Sequence, residues 1–184
     1  WMYETWHPHC DDPQRVKGKI NYTVWSDVFV CPNCGQEMIF WEVAVNKEKG
    51  EIHDTWNCPG CGILVAKSPQ KGSGALKVER AWSTKYDREL KQTTRIAKQV
   101  PAFINYSLGK KRYEKHPDSA DLELIQKINE YEIPYTFPIN IIISGDKTSD
   151  SFNIGITHVH QFYTQRNLLA LAILWSNIQK SSFV

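Results

Sequence analysis

Two copies of one short pattern constrain this chain more than anything else in it: Cys31-Pro32-Asn33-Cys34-Gly35 and Cys58-Pro59-Gly60-Cys61-Gly62. Both read C-P-x-C-G, with 23 residues between Cys34 and Cys58. In a C-x-x-C turn both thiolates point to one side, and the trailing glycine accepts the positive φ that closes the turn. Two such turns face to face supply four sulfurs in a tetrahedron, a donor set that suits Zn²⁺. With four sulfur ligands the coordination sphere is full, so such an ion holds shape and performs no chemistry.

Other uses of the four cysteines fit less well. Disulfides do not account for two C-x-x-C pairs that each carry their own glycine. A thioredoxin-like redox pair sits where a strand enters a helix, whereas residues 37–45 after the first turn are expected to be a strand. Ligand type alone leaves an iron–sulfur cluster open.

The elements expected around the cysteines are those of a ribbon. A strand over 20–30, rich in Tyr, Thr, Val, Trp and Phe, leads into the first turn. A hairpin of 37–45 and 51–56 closes around 46–50, and a short strand over 63–66 follows the second turn. The spacer has the length that two strands and a turn require at about 3.3 Å per residue. The expected class is α+β: a four-cysteine zinc ribbon of antiparallel strands, then a basic β-rich segment and two helices. Ser68 to Gly74 reads as a linker, so three segments are expected, 1–67, 68–117 and 118–184. Strands are expected over 77–86, 93–98, 100–108 and 110–115, the last two across a turn at Gly109. Asp118 is positioned to cap a helix running to 128 or 131, with Leu122, Ile125 and Ile128 on one face. Thr164 is positioned to cap a second over 165–179, burying Leu168, Leu171, Ala172 and Trp175. Between them, 139–143 is expected to be a buried strand.

The net charge of +2 hides a block pattern. Residues 67–115 carry 13 Lys and Arg against 4 Asp and Glu, a local excess of +9, while the flanking segments 1–66 and 116–184 stand at −4 and −3. Within the basic block, Arg95, Lys98, Lys110, Lys111, Arg112 and Lys115 alternate with Phe103, Tyr106 and Tyr113. Cationic side chains neutralise phosphates and exposed aromatic rings stack on bases, so the six cations are candidate DNA contacts. The alternative is a solvated basic face whose aromatics turn inward.

Other polar groups carry weaker signals. His158 and His160 share one face if their segment is extended; a structural role, with ring nitrogens bonded to backbone, is the expectation. His7, His9 and Cys10 resemble a metal cluster in composition, but Pro8 and Pro13 make 7–19 an ordinary loop. No nucleophile elbow, phosphate-binding loop or dinucleotide fingerprint occurs. No apolar run approaches the ~20 residues needed to cross a bilayer, and no membrane partner is expected. The absence of a signal peptide, with cysteines kept as thiolates, points to a reducing cytoplasm. The chain opens without an initiator Met and closes just after a strongly apolar helix, as a segment of a larger protein would.

Several longer strings are similar to the zinc-ribbon-containing insert region of prokaryotic adenine-specific (N-4/N-6 type) DNA methylases. They are WMYET at 1–5, INYTVWSDVFVCP at 20–32, AKQVP at 97–101, INYSLGKKRY at 104–113, GITHVH at 155–160 and FYTQRNL at 162–168. The resemblance implies a parent enzyme that transfers a methyl group from S-adenosylmethionine to a base amino nitrogen in DNA. In that family a glycine-rich cofactor motif precedes this region and an Asp/Asn-Pro-Pro-aromatic motif follows it. This chain has no Pro-Pro and no F-x-G-x-G. The resemblance therefore implies an insert that binds DNA and the rest of the methyltransferase chain but does not itself bind the cofactor. Of the family's functional residues only the metal ligands Cys31, Cys34, Cys58 and Cys61 carry over.

Overall fold

The computed structural model describes residues 1–8 and 16–181. Its elements are, in chain order, β1 (Glu4–Trp6), β2 (Lys17–Val30), β3 (Glu37–Ile39), α1 (Phe40–Ala44), β4 (Val45–Asn46), β5 (Glu51–Ile52), β6 (Thr55–Asn57), β7 (Leu64–Ala66), β8 (Leu76–Lys77) and β9 (Glu79–Arg80). Then come β10 (Trp82–Asp87), β11 (Gln92–Ala97), β12 (Gln99–Leu108), β13 (Lys111–Lys115), α2 (Ser119–Glu130), α3 (Ser149–Asn153) and α4 (Gln165–Ser181). The class is α+β, with four α-helices among the described residues where two were expected; α1 and α3 are the short additions. Among the described residues no helix is long and apolar enough to cross a membrane.

The chain groups into two compact units, each assembled from segments distant in sequence. The cysteine unit comprises 20–85 and 95–116. In it β2 is the common partner: β3 pairs antiparallel with its end at Val28↔Ile39 and Val30↔Glu37, and β9 at Phe29↔Arg80. β12 pairs with β13 across Gly109, whose φ of +60° makes the turn. β6 pairs antiparallel with β7, and β8 joins β7 in parallel, so residues 68–74 form a loop between two paired strands.

The stretch after the first turn departs from the expected strand. Only Glu37–Ile39 is extended; Phe40–Ala44 turns into α1. A helical turn puts Phe40, Val43 and Ala44 on one side, and all three pack against the cluster of Phe29, Met38, Trp56, Val65 and Val78. A strand would have split Phe40 and Ala44 from Val43. The buried Ser26 hydroxyl accepts the Trp41 N–H at 2.9 Å, anchoring the helix start. The expected hairpin shrinks to β4 and β5, and β6 turns to β7 instead.

The helical unit comprises 1–19, 86–94 and 117–184. β1 pairs with the first residues of β2 at Glu4↔Lys19 and Trp6↔Lys17, so the loop expected over 7–19 ends by Lys17. Asp118 caps α2 as its sequence predicts. Its carboxylate accepts the Asp121 N–H at 3.0 Å, and the Asp121 carboxylate accepts the Asp118 N–H at 3.0 Å. That reciprocal pair satisfies two of the donors orphaned at a helix start. Asp121 is buried and also accepts the Thr5 hydroxyl at 2.6 Å, tying α2 to β1. Ile128 is buried as expected, but Leu122 is exposed.

α4 buries two of the four residues expected, Leu168 and Ala172, and adds Leu169, whereas Leu171 and Trp175 are 45% and 55% exposed. Residues 139–143 form no strand: Ile139, Ile141 and Ile143 are exposed, Ile143 at 84%, and the sole pairing among them is an isolated bridge from Ile141 to His158.

Candidate metal centre

Each cysteine turn is built the same way. Cys31 N–H donates to Gln36 O at 2.9 Å and Gly35 N–H to Cys31 O at 3.0 Å; Cys58 N–H donates to Ile63 O at 2.9 Å and Gly62 N–H to Cys58 O at 2.8 Å. Gly35 and Gly62 adopt φ of +74° and +73°, the left-handed conformation that closes each turn. The first cysteine of each turn is buried and the second exposed. The two turns meet crosswise, with Cys31 Sγ 3.7 Å from Cys61 Sγ and Cys34 Sγ 3.6 Å from Cys58 Sγ. All four Sγ atoms lie within 4.8 Å of one another, and none is in a disulfide. These four cysteines form a cluster able to hold a metal ion.

The cluster sits on the aromatic core. Cys31 and Cys58 belong to the same buried set as Phe29, Met38, Trp56 and Val65. Phe40 meets Trp56 edge-on at 5.4 Å between centroids, and Phe29 meets Phe40 at 5.9 Å. The rigid base keeps the inner sulfurs fixed while the outer two face solvent.

Thiol ionisation is uneven. The Asn33 side chain, with the Ile63 N–H, holds the Cys61 thiol down at about 6. Burial opposes ionisation of Cys31, yet the N–H groups of Cys34 and Asn33 bring that thiol below its ordinary range. The Gln36 N–H pulls on Cys34, but desolvation and the sulfurs of Cys61, Cys58 and Cys31 outweigh it and push that thiol up to about 12. Four packed sulfurs cannot all ionise without a counter-charge; a cation held by them would displace the remaining protons, and the N–H groups near sulfur would spread the thiolate charge.

The six candidate DNA contacts are distributed unevenly. Lys110, Lys111 and Arg112 are exposed at the β12–β13 turn. Arg95 stacks on Trp82, 4.6 Å from the ring centre. Lys98 pairs with Glu37, and Lys115 is only 8% exposed. The interleaved aromatics turn inward: Tyr106 is buried and stacks on its cross-strand partner Tyr113 at 5.7 Å, and Phe103 packs against Trp41.

His158 and His160 do not lie on an extended segment. His158 precedes a 3₁₀ turn, Val159–Phe162, and its Nδ1 lies 2.8 Å from the Thr157 hydroxyl. His160 bonds through Nε2 to Asp87 Oδ2 at 2.9 Å, a side chain rather than backbone. Sequence reasoning missed Asp87 because 73 positions separate the pair. The one legible hint was a hairpin turn: Asp87 Oδ1 accepts the N–H groups of Glu89 and Leu90 as an Asx turn does. His9 and Cys10 of the composition-based cluster lie outside the described residues.

Compared with known family models, with curated proteins and with solved structures, the chain matches none of them.

Proposed function

We propose that the four cysteines hold one structural Zn²⁺, forming a zinc ribbon, and that the chain is a DNA-binding, target-recognition segment of an adenine-specific DNA methyltransferase. The observation that carries the reading is the convergence of four sulfurs from two turns 23 residues apart in sequence. A ZnS₄ tetrahedron with Zn–S of about 2.3 Å has sulfur–sulfur edges of ~3.8 Å. The contacts of 3.6 and 3.7 Å across the cluster need almost no adjustment to reach that. The ion ties together two turns whose strands are only three residues long beyond them, β3 and β7, so it supplies stability that so short a ladder lacks.

The DNA part of the reading rests on Lys110, Lys111 and Arg112, three exposed cations in sequence from the β12–β13 turn into the start of β13. Such a turn can approach a phosphate backbone without rearranging the sheet behind it. The methyltransferase part rests on the sequence strings alone; S-adenosylmethionine binding and methyl transfer belong to other parts of the parent chain. A methylase must extrude its target base while something else holds the duplex, and an insert with a rigid base and a cationic turn suits that task.

A second reading, a structural or protein-docking insert, is favoured by the internal engagement of Arg95, Lys98 and Lys115. Fluorescence anisotropy with duplex DNA across a salt series separates the two. If the turn clamps phosphates, Lys110/Lys111/Arg112→Ala weakens binding and flattens the log K against log[salt] slope by about 2–3, near 0.9 per lost contact. Equal affinity and equal slope for the variant and the unaltered chain remove the turn from the DNA interface and leave the docking reading.

A further inference from the structure

The aromatics interleaved with the cations of β12 and β13 turn inward, but Trp82, at the start of β10, does not. Its indole is 37% exposed, and the guanidinium of Arg95, from β11 in the same cysteine unit, lies 4.6 Å from the ring centre. Next to Trp82, Ala81 N–H donates to Val28 O at 2.9 Å and Ala81 O accepts the Lys98 N–H at 2.9 Å. The backbone carrying the indole is thereby pinned to β2, while its ring and the guanidinium stand at the surface.

Arg95 differs from other cations of this unit in what answers its charge. Arg80 pairs with Asp27 at 2.7 Å and Lys98 with Glu37. Arg95 is exposed, and it rests on a neutral ring. An indole steadies a guanidinium without cancelling its charge. The product is a flat cation backed by an aromatic ring and open to solvent. An unpaired nucleic-acid base is the complement of such a plate. Its π-face stacks on a guanidinium or an indole, and the phosphate beside it answers the charge. In a duplex those faces are already covered by neighbouring base pairs, so the plate favours bases that are free.

We propose that the Arg95–Trp82 pair is a stacking seat for one unpaired nucleic-acid base, with the guanidinium against the base and its charge toward the adjoining phosphate. The inference rests on the nucleic-acid reading above and adds to it a preference for strands with free bases. The seat is distinct from the cationic turn. Ala81 places Trp82 beside Lys98, and β12 runs from there to Gly109, about 35 Å along an extended strand.

The test uses two labelled strands of equal length and charge, an oligothymidylate of about 12 nucleotides and its fully abasic counterpart, in anisotropy titrations of the full chain at low salt. The thymidylate strand should bind at least about fivefold more tightly, as one stacked base implies. Trp82→Ala, at an exposed position, should bring that ratio near one. Arg95→Lys keeps the charge but loses the plane, so it should lower the ratio while leaving the affinity for the abasic strand within about twofold. Lys110/Lys111/Arg112→Ala should leave the ratio unchanged, whatever it does to the absolute affinities. If Trp82→Ala fails to fold, Arg95→Lys and the ratio on the unaltered chain decide. Equal affinity for the two strands, no binding to either, or a ratio that survives Trp82→Ala overturns the seat. Duplex binding that persists in any of those cases leaves the DNA reading standing; its loss as well removes both.

Discussion

Alanine at either turn-closing glycine should loosen the cysteine cluster by a conformational cost that packing does not obscure. Gly35 and Gly62 hold φ of +74° and +73°, and a Cβ added at either meets nothing within 4 Å. The penalty is therefore that of placing an L-residue in the left-handed region, about 1–2 kcal/mol. Because the hydrogen-bonded turns match, Gly35→Ala and Gly62→Ala should cost nearly the same. If metal binding and turn closure are one event, each lowers metal affinity by roughly 5–30-fold, that range being the same free energy expressed as a ratio. Asparagine tolerates this conformation better than alanine, so Gly→Asn should recover part of the loss. Competition against a chromophoric zinc chelator reads the affinity, and guanidinium unfolding with and without metal reads the stability. Gly60 serves as a contrast: its φ is ordinary, but an added Cβ would stand 3.3 Å from Gln36 Cβ and 3.4 Å from Cys34 Sγ. Its cost would come from crowding, and asparagine there would be worse than alanine. Neutral Gly35→Ala and Gly62→Ala, or alanine outperforming asparagine at those positions, would refute the argument from φ.

Three further checks follow, two in the helical unit and one in the cysteine unit. Asp121→Ala removes the charged acceptor of the buried Thr5 hydroxyl and one half of the α2 capping box, and should lower stability by about 2–3 kcal/mol in urea unfolding. Asp87 is held below its ordinary value of 3.8 by Gln161, His160 and the Leu90 N–H against the opposing effect of burial. Its contribution is thus present above about pH 4 and lost as pH falls further, and Asp87→Asn should flatten the acid limb of a thermal-unfolding pH series. Glu37→Gln breaks the half-exposed Lys98 pair and should change stability by less than about 1 kcal/mol.

Local chemistry made some of this protein legible in its sequence, and tertiary choice hid the rest. The cysteine turns, the Gly109 reversal and the Asp118 cap are decided within a few residues, and each is found where the sequence puts it. Residues 40–44 were read as strand because Phe, Trp and Val favour that state, but burial of Phe40 beside Ala44 on Trp56 overrides the preference. In α4 two of the four residues read as buried, Leu168 and Ala172, are buried and the other two are not; Leu171 and Trp175 border a cavity instead. The β-branched run at 139–143 found no partner ladder beyond one bridge. Lys115 illustrates the limit of charge counting: alternation along β13 puts it on the side of Tyr113, away from Arg112.

Metal content of the purified chain, measured together with thiol reactivity, tests the central claim most directly. The account predicts one zinc per chain by elemental analysis and native mass spectrometry, with four of the five cysteines becoming reactive only after chelation. Metal-free protein with four freely reactive thiols, sulfurs paired as disulfides, or iron in place of zinc would contradict it.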